Sequence, residues 1–301
     1  MRVIKPVLLL AAAMLAACGP SAPKGPADPK LSAFIPTDTV VLAGIRVEEL
    51  KQTPLYREVE PLVGSIAQEG FDPRRDVREV LVASDGKNTV AMALGKFNVK
   101  ELERLPKMDH RGVTLYGNEY GAVAWIDEST IAAGMTPMVR RAIDQQKSGT
   151  QAATALLAQA RALPSPNQLW MVSIGAPTFV RLPNLPNAEM LQKMLHAMRD
   201  VQFYADLRQG IFAALTGQSV TEADAKFLGD TVRGLIGLGR LSMPRGEPEL
   251  LKAFDGVTVT QTGTTVSVNA KIPQELAAKV MERLRSSSGE PRRRESMPRP
   301  R

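Results

Sequence analysis

Paired runs of β-branched and apolar residues, joined by very short turns, recur along this 301-residue chain and confine it to antiparallel pairing. The clearest pair is Asp76–Ser84 (DVREVLVAS) and Asn88–Phe97 (NTVAMALGKF), separated by Asp85-Gly86-Lys87. Aspartate then glycine between two apolar runs is the strongest short-range hairpin signal in a sequence. So short a link cannot serve a parallel pair, which needs a crossover of a dozen or more residues. Val113–Tyr116, Gly121–Ile126 and Thr130–Ala133 repeat the pattern, with turns at Gly117-Asn118 and Asp127-Glu128-Ser129. Val201–Leu207 with Gly210–Thr216, and Val257–Thr262 with Thr265–Ala270, predict two further hairpins, about Arg208-Gln209 and Gly263. Thr39–Val47 and Gln168–Ile174 are apolar, β-branched runs of strand length.

Between these strands the apolar period changes from two to three or four. Leu55, Val59, Leu62, Val63 and Ile66 put a helix over Pro54–Gln68, after a short one at Glu48–Gln52. A short helix fits Asn98–Leu105. Thr136-Pro137 opens another that runs to Gln146, with proline at the favoured first position. Ala153–Ala162, Ala188–Met198, Pro248–Phe254 and Pro273–Arg285 are also helical, whereas Gly175–Asn187 resists a regular assignment. Thr221-Glu-Ala-Asp224 forms a capping box that begins a long helix to about Leu241. The resulting order predicts an α+β fold, a duplicated unit of antiparallel sheet with helices packed on one face. Lys147–Gln151 separates a first α+β domain, residues 32–147, from a second, 152–285. At 44% hydrophobic the chain can build real cores.

The N-terminus has a different character. Met1-Arg-Val-Ile-Lys places two cations before an apolar run, Pro6–Leu15, too short to span a bilayer as a mature helix. Small residues follow at Leu15-Ala16-Ala17-Cys18-Gly19, the order of a secretory signal. The Leu-Ala-Ala-Cys quartet resembles the lipobox of bacterial lipoproteins. That resemblance implies a signal peptide over 1–17, and acylation of Cys18 on its sulfur and at its new N-terminus. Several acyl chains hold a body at a membrane where one would not. Gly19, rather than aspartate, follows the cysteine, which suits the outer membrane, facing the periplasm. Residues 18–31 are rich in Pro, Ala and Gly and read as a tether. The Pro36-Thr-Asp-Thr-Val-Val-Leu42 opening, Gly70-Phe-Asp-Pro-Arg-Arg-Asp76 and Lys271-Ile-Pro-Gln-Glu275 together look like uncharacterised bacterial lipoproteins, a resemblance that brings no catalytic residues to carry over.

Cys18 is the only cysteine, so once it is lipidated the body has no thiol for a disulfide, a nucleophile or a metal. The net charge of +7 is mostly an end effect. Arg2 and Lys5 leave with the signal, and the basic tail at 286–301 carries about three more positive charges, so the body is nearly neutral and does not suit nucleic acid. The tail has no apolar period and reads as disordered. The two histidines, His110 and His196, have no partner at metal-ligand spacing. Gly234, Gly237 and Gly239 mimic a phosphate loop but lie on a helix with no strand before them, where glycine serves packing. Asp72, Arg74, Arg75, Asp76, Arg78 and Glu79 read as a solvated patch of local ion pairs. Met190, Met194 and Met198 recur every four residues and mark a candidate apolar binding edge on the predicted Ala188–Met198 helix. The expectation is a lipid-anchored envelope protein with a binding or scaffolding body, without cofactor or metal, whose partner is an envelope protein or an apolar ligand. The alternatives are a hydrolase using carboxylates in a cleft between the halves, and a carrier of an apolar or lipid ligand.

Overall fold

The computed structural model describes residues 27–58, 60, 72–175, 198–241 and 248–287. Twelve strands form one antiparallel sheet. They are β1 (Val41–Ile45), β2 (Val77–Ser84), β3 (Thr89–Gly95), β4 (Lys107–His110), β5 (Val113–Gly117), β6 (Gly121–Asp127), β7 (Thr130–Met135), β8 (Leu169–Ile174), β9 (Met198–Asp206), β10 (Gly210–Ser219), β11 (Val257–Thr262) and β12 (Thr265–Pro273). Their order across the sheet is β11-β12-β10-β9-β8-β1-β2-β3-β7-β6-β5-β4. Each predicted hairpin is present. β4 was not anticipated: its period is hidden by the polar side chains of Lys107, Asp109 and His110, and it owes its place to pairing with β5 (Lys107↔Tyr116, His110↔Val113).

The segments expected as two domains each contribute neighbouring strands, and the seam between them is a backbone ladder. β1 pairs antiparallel with β8 from Val41↔Ser173 to Ile45↔Leu169, centred on Ala43↔Met171. The sheet therefore runs unbroken from one half to the other.

Helices cover both faces of this sheet, where the sequence pattern predicted one. On the first face α1 (Pro29–Ser32), α4 (Thr136–Ser148) and α5 (Thr154–Ala162) bury Leu31, Met138, Ile143, Leu156 and Ala160 on Leu42, Leu81, Met92, Leu115, Trp170 and Val172. On the second face α2 (Val47–Lys51) brings Val47 to Val77 and Ala93. α6 (Glu222–Leu241) sets Ala225 and Leu228 on Val201 and Val266. α7 (Pro248–Asp255) and α8 (Gln274–Ser287) place Ala253 and Ala277 against Ala205 and Ile272. The reason lies in the central strands. β1 (VLAGI) and β8 (LWMVSI) are apolar at nearly every position and so offer two faces to cover. β11 (VTVTQT) and β12 (TVSVNAKIP) alternate instead, with Val turned to the helices and Thr258, Thr260 and Thr262 exposed opposite.

Local signals hold elsewhere. In the capping box, Asp224 N–H donates to Thr221 Oγ1 at 3.1 Å and the Thr221 hydroxyl donates to Asp224 Oδ2 at 2.7 Å. Thr221→Ala is expected to cost about 1 kcal/mol in urea unfolding, with Thr221→Ser close to wild type. The phosphate-loop glycines sit within α6, and a Cβ at Gly239 would come within 2.9 Å of the Phe254 ring on α7, so this glycine permits helix contact. Asn98–Leu105, expected as a helix, shortens to a single 3₁₀ turn, α3 (Pro73–Asp76) is one turn capped by Asp72, and most of the Pro54–Gln68 helix lies outside the described residues.

Candidate functional site

Two polar constellations emerge, both on the first half of the sheet. The first clasps the N-terminal segment. The described residues begin within the stretch expected as tether: Asp28 caps α1 by accepting from Lys30 N–H at 2.8 Å, and Leu31, Phe34 and Ile35 are buried in the core. Asp28 N–H donates to Glu79 Oε1 at 2.9 Å, and Lys30 Nζ donates to Asp127 Oδ2 and Ser129 Oγ, each at 2.8 Å. Burial raises the Glu79 carboxyl above the usual carboxylate range, against the hydrogen bond from Asp28. At Asp127 burial acts in the same sense but is outweighed by Lys30 and Ser129, which bring the carboxyl down to about 2.

The second constellation surrounds a recess of about 300 Å³ lined by Pro36, Thr37, Asp38, Arg141, Asp144 and Gln145. Arg141, on α4, donates from Nη1 to Asp38 Oδ2 and from Nη2 to Asp85 Oδ2, both at 2.7 Å. Asp85 is the hairpin aspartate. Its Oδ1 also accepts from Lys87 N–H at 2.9 Å and Asn88 N–H at 2.7 Å. Burial opposes its charge, but these N–H groups, the Asn88 amide and Arg141 together hold the carboxyl far below the usual range. Asp144 takes His110 Nε2 at 2.9 Å and Arg111 Nε at 2.6 Å. The carboxylates at the recess are thus engaged by cations, and the arrangement pins α4 to the β2–β3 and β4–β5 hairpins. It contains no nucleophile held by a base.

The charged patch after residue 71 resolves into pairs, Arg74 with Asp72 at 2.7 Å and Arg75 with Asp76 at 2.6 Å. The Arg74 hydrogen bonds bring Asp72 down to about 2. Among the described residues no group of three or more His, Cys, Asp or Glu could hold a metal ion, and no helix is long and apolar enough to cross a membrane.

Cys18, His196, Met190 and Met194 lie outside the described residues. Met198 does not extend a helical methionine stripe. It opens β9 and is buried with Val201, Ala225, Leu228 and Val266, because the register shift opposite Gln218 and Ser219 sets it on the same face as Val201, three residues on, under α6. It is core, not a binding edge. Neither the clasp nor the Arg141 network was legible beforehand, since their members are 51, 97 and 103 residues apart in the chain. Only the aspartates at the Asp85 and Asp127 turns gave a local signal, as residues that hydrogen-bond the backbone two positions on.

No family model matches the chain, and no curated protein matches it. Among solved structures, TP0453 in crystal form I aligns over 86% of this chain and 98% of its own, at 11% identity and a TM-score of 0.45. Crystal form III of TP0453 aligns over 85% and 98%, at 10% identity and a TM-score of 0.44. Similarity at this level carries no statement about function.

Proposed function

We propose that this chain is a lipid-anchored envelope protein, held by acyl groups on Cys18, whose body binds or scaffolds a partner on the periplasmic side of the outer membrane. The observation that carries the reading is the clasp. A few residues beyond the Leu-Ala-Ala-Cys motif, the chain is fixed by Asp28 to Glu79, by Lys30 to Asp127, and by the burial of Leu31, Phe34 and Ile35. A pull on the anchor is then borne by a buried, hydrogen-bonded segment, and the linker left between lipid and body is short. Nine extended residues reach at most about 30 Å. A hydrolase with carboxylates between the halves gains no support from the seam, which is the β1–β8 ladder, and Asp38 and Asp144 at the recess both come from the first half.

The internal repeat is the second part of this reading. Counting outward from the seam, β1-β2-β3-β7-β6 and β8-β9-β10-β12-β11 follow one scheme: three strands in chain order, then a hairpin whose later strand lies inside. A helix precedes each half, α1 and α5, on the same face. The closing helices α4 and α8 lie on opposite faces, so what we infer to be repeated is strand order rather than a whole superposable unit.

Fractionation of cells expressing wild type and Cys18→Ala, with mass spectrometry of the mature N-terminus, tests the anchor. The expected result is acylated Cys18 in the outer-membrane fraction, with the variant released. Unlipidated, soluble wild type would overturn it.

A further inference from the structure

Among the described residues, the two edges of the sheet are unlike. β4 at one end is four residues long, with Lys107, Asp109 and His110, the charge and brevity by which edge strands discourage pairing. β11 at the other end is six residues long, VTVTQT, with no charge and no proline. Its register with β12 shows no bulge.

The hydrogen-bonding polarity of β11 follows from its neighbours. Lys271 N–H donates to Gly256 O at 2.8 Å, one step before the strand, and the hairpin closes on Thr262↔Thr265. Antiparallel pairing alternates, so the even residues 258, 260 and 262 exchange bonds with β12, while Val257, Val259 and Gln261 turn their N–H and C=O outward. Consistently, the Val259 carbonyl accepts from a side chain off the sheet, Arg233 Nη2 on α6, at 3.2 Å.

We propose that β11 is the site at which a second copy of this chain adds, antiparallel, about a twofold axis at Val259. In that register Val259 faces Val259 and Val257 faces Gln261, so the outward donors and acceptors of these three residues in each copy are satisfied reciprocally. Thr258 meets Thr260 on one face, and the valines continue the apolar row on the other. A second copy fits better than a free peptide because its strand is already extended by β12, and little ordering entropy is lost on association. Arg233, also paired with Asp230 at 2.7 Å, covers the Val259 carbonyl in the single chain and must release it. The contact adds only backbone bonds and a narrow strip of side chains, so the dimer is weak and concentration-dependent.

Sedimentation of the purified full chain from micromolar to near-millimolar concentration tests this. Wild type should move from monomer toward dimer as its concentration rises. Val259→Pro removes an outward N–H without touching the β12 ladder, and should weaken association about tenfold or more relative to Val259→Ala, which loses the same packing under α6 but keeps the N–H. Arg233→Ala should strengthen it a few-fold. In a Cys18→Ser background, Val259→Cys should cross-link to itself on mild oxidation, since facing residues of a hydrogen-bonded pair are about 5.5 Å apart at Cα, within disulfide reach. A chain monomeric throughout overturns the proposal. So does a dimer that is indifferent to Val259→Pro and does not cross-link at 259, which would lie on another surface.

Discussion

Gly44→Ala is expected to destabilise the chain by about 3 kcal/mol, at the upper end of what overpacking costs. Gly44 lies on β1 directly opposite Trp170 on β8, at the seam that joins the two halves. The indole lies over the glycine: a Cβ there would stand 2.2 Å from Trp170 Nε1, 2.3 Å from Cε2 and 2.5 Å from Cζ2. Trp170 is 2% exposed, held between Gly44 and the buried side chains of α5, so the ring has nowhere to swing. Its Nε1 has no hydrogen-bond partner, so the ring is placed by shape alone. A smaller side chain opposite should relieve the clash. Trp170→Leu alone leaves a cavity costing about 2 kcal/mol, yet Gly44→Ala combined with it should fall short of the summed costs by 1 kcal/mol or more. Urea unfolding followed by far-ultraviolet circular dichroism measures both. Simple additivity would show that the two residues do not meet.

Asp85→Ala should cost a similar amount, about 3 kcal/mol near neutral pH, because it removes a mostly buried carboxylate with several charge-assisted bonds. Only 13% of the Asp85 side chain is exposed, and it serves two levels of structure at once. It closes the β2–β3 turn through Lys87 and Asn88 N–H, and it ties that turn to α4 through Arg141. Asp85→Asn keeps the shape and one acceptor but loses the charge, and should lie about halfway. The pH dependence has a fixed sign. The folded carboxyl titrates below its unfolded value of about 3.9, so its contribution is fully present above that value and is lost as pH falls through the folded one. The gap between wild type and Asp85→Ala should therefore be constant from about pH 5 upward and narrow as the pH drops below about 4. A gap independent of pH would assign the effect to turn shape alone.

Strands and turns were legible where the signal is local. Asp85-Gly86, the Thr221 capping box and the Val/Thr alternation of β11 each state their conformation within a few residues. They needed nothing from the rest of the chain. The same local logic failed for Met198, where a four-residue methionine spacing suggested a helix although the residue opens a strand. Period is informative only when the element is long enough to repeat it, and Met198 stands at a boundary.

The sequence by itself determined that the chain is antiparallel, that its single cysteine sits after Leu-Ala-Ala, and that its body is nearly neutral. Tertiary structure decided what lies far apart in the chain. Only folding could make the halves one sheet, because the pairing of β1 with β8 depends on two apolar strands more than 120 residues apart finding each other's edges. Only folding could show that those strands, apolar on both sides, require helices on both faces. The clasp of Asp28 and Lys30 and the Arg141 network also arise there, from charged side chains whose partners are set by the sheet and not by spacing along the chain. The outward edge of β11 belongs to the same class: its composition is visible in the sequence, but which of its backbone groups face outward follows from its register with β12.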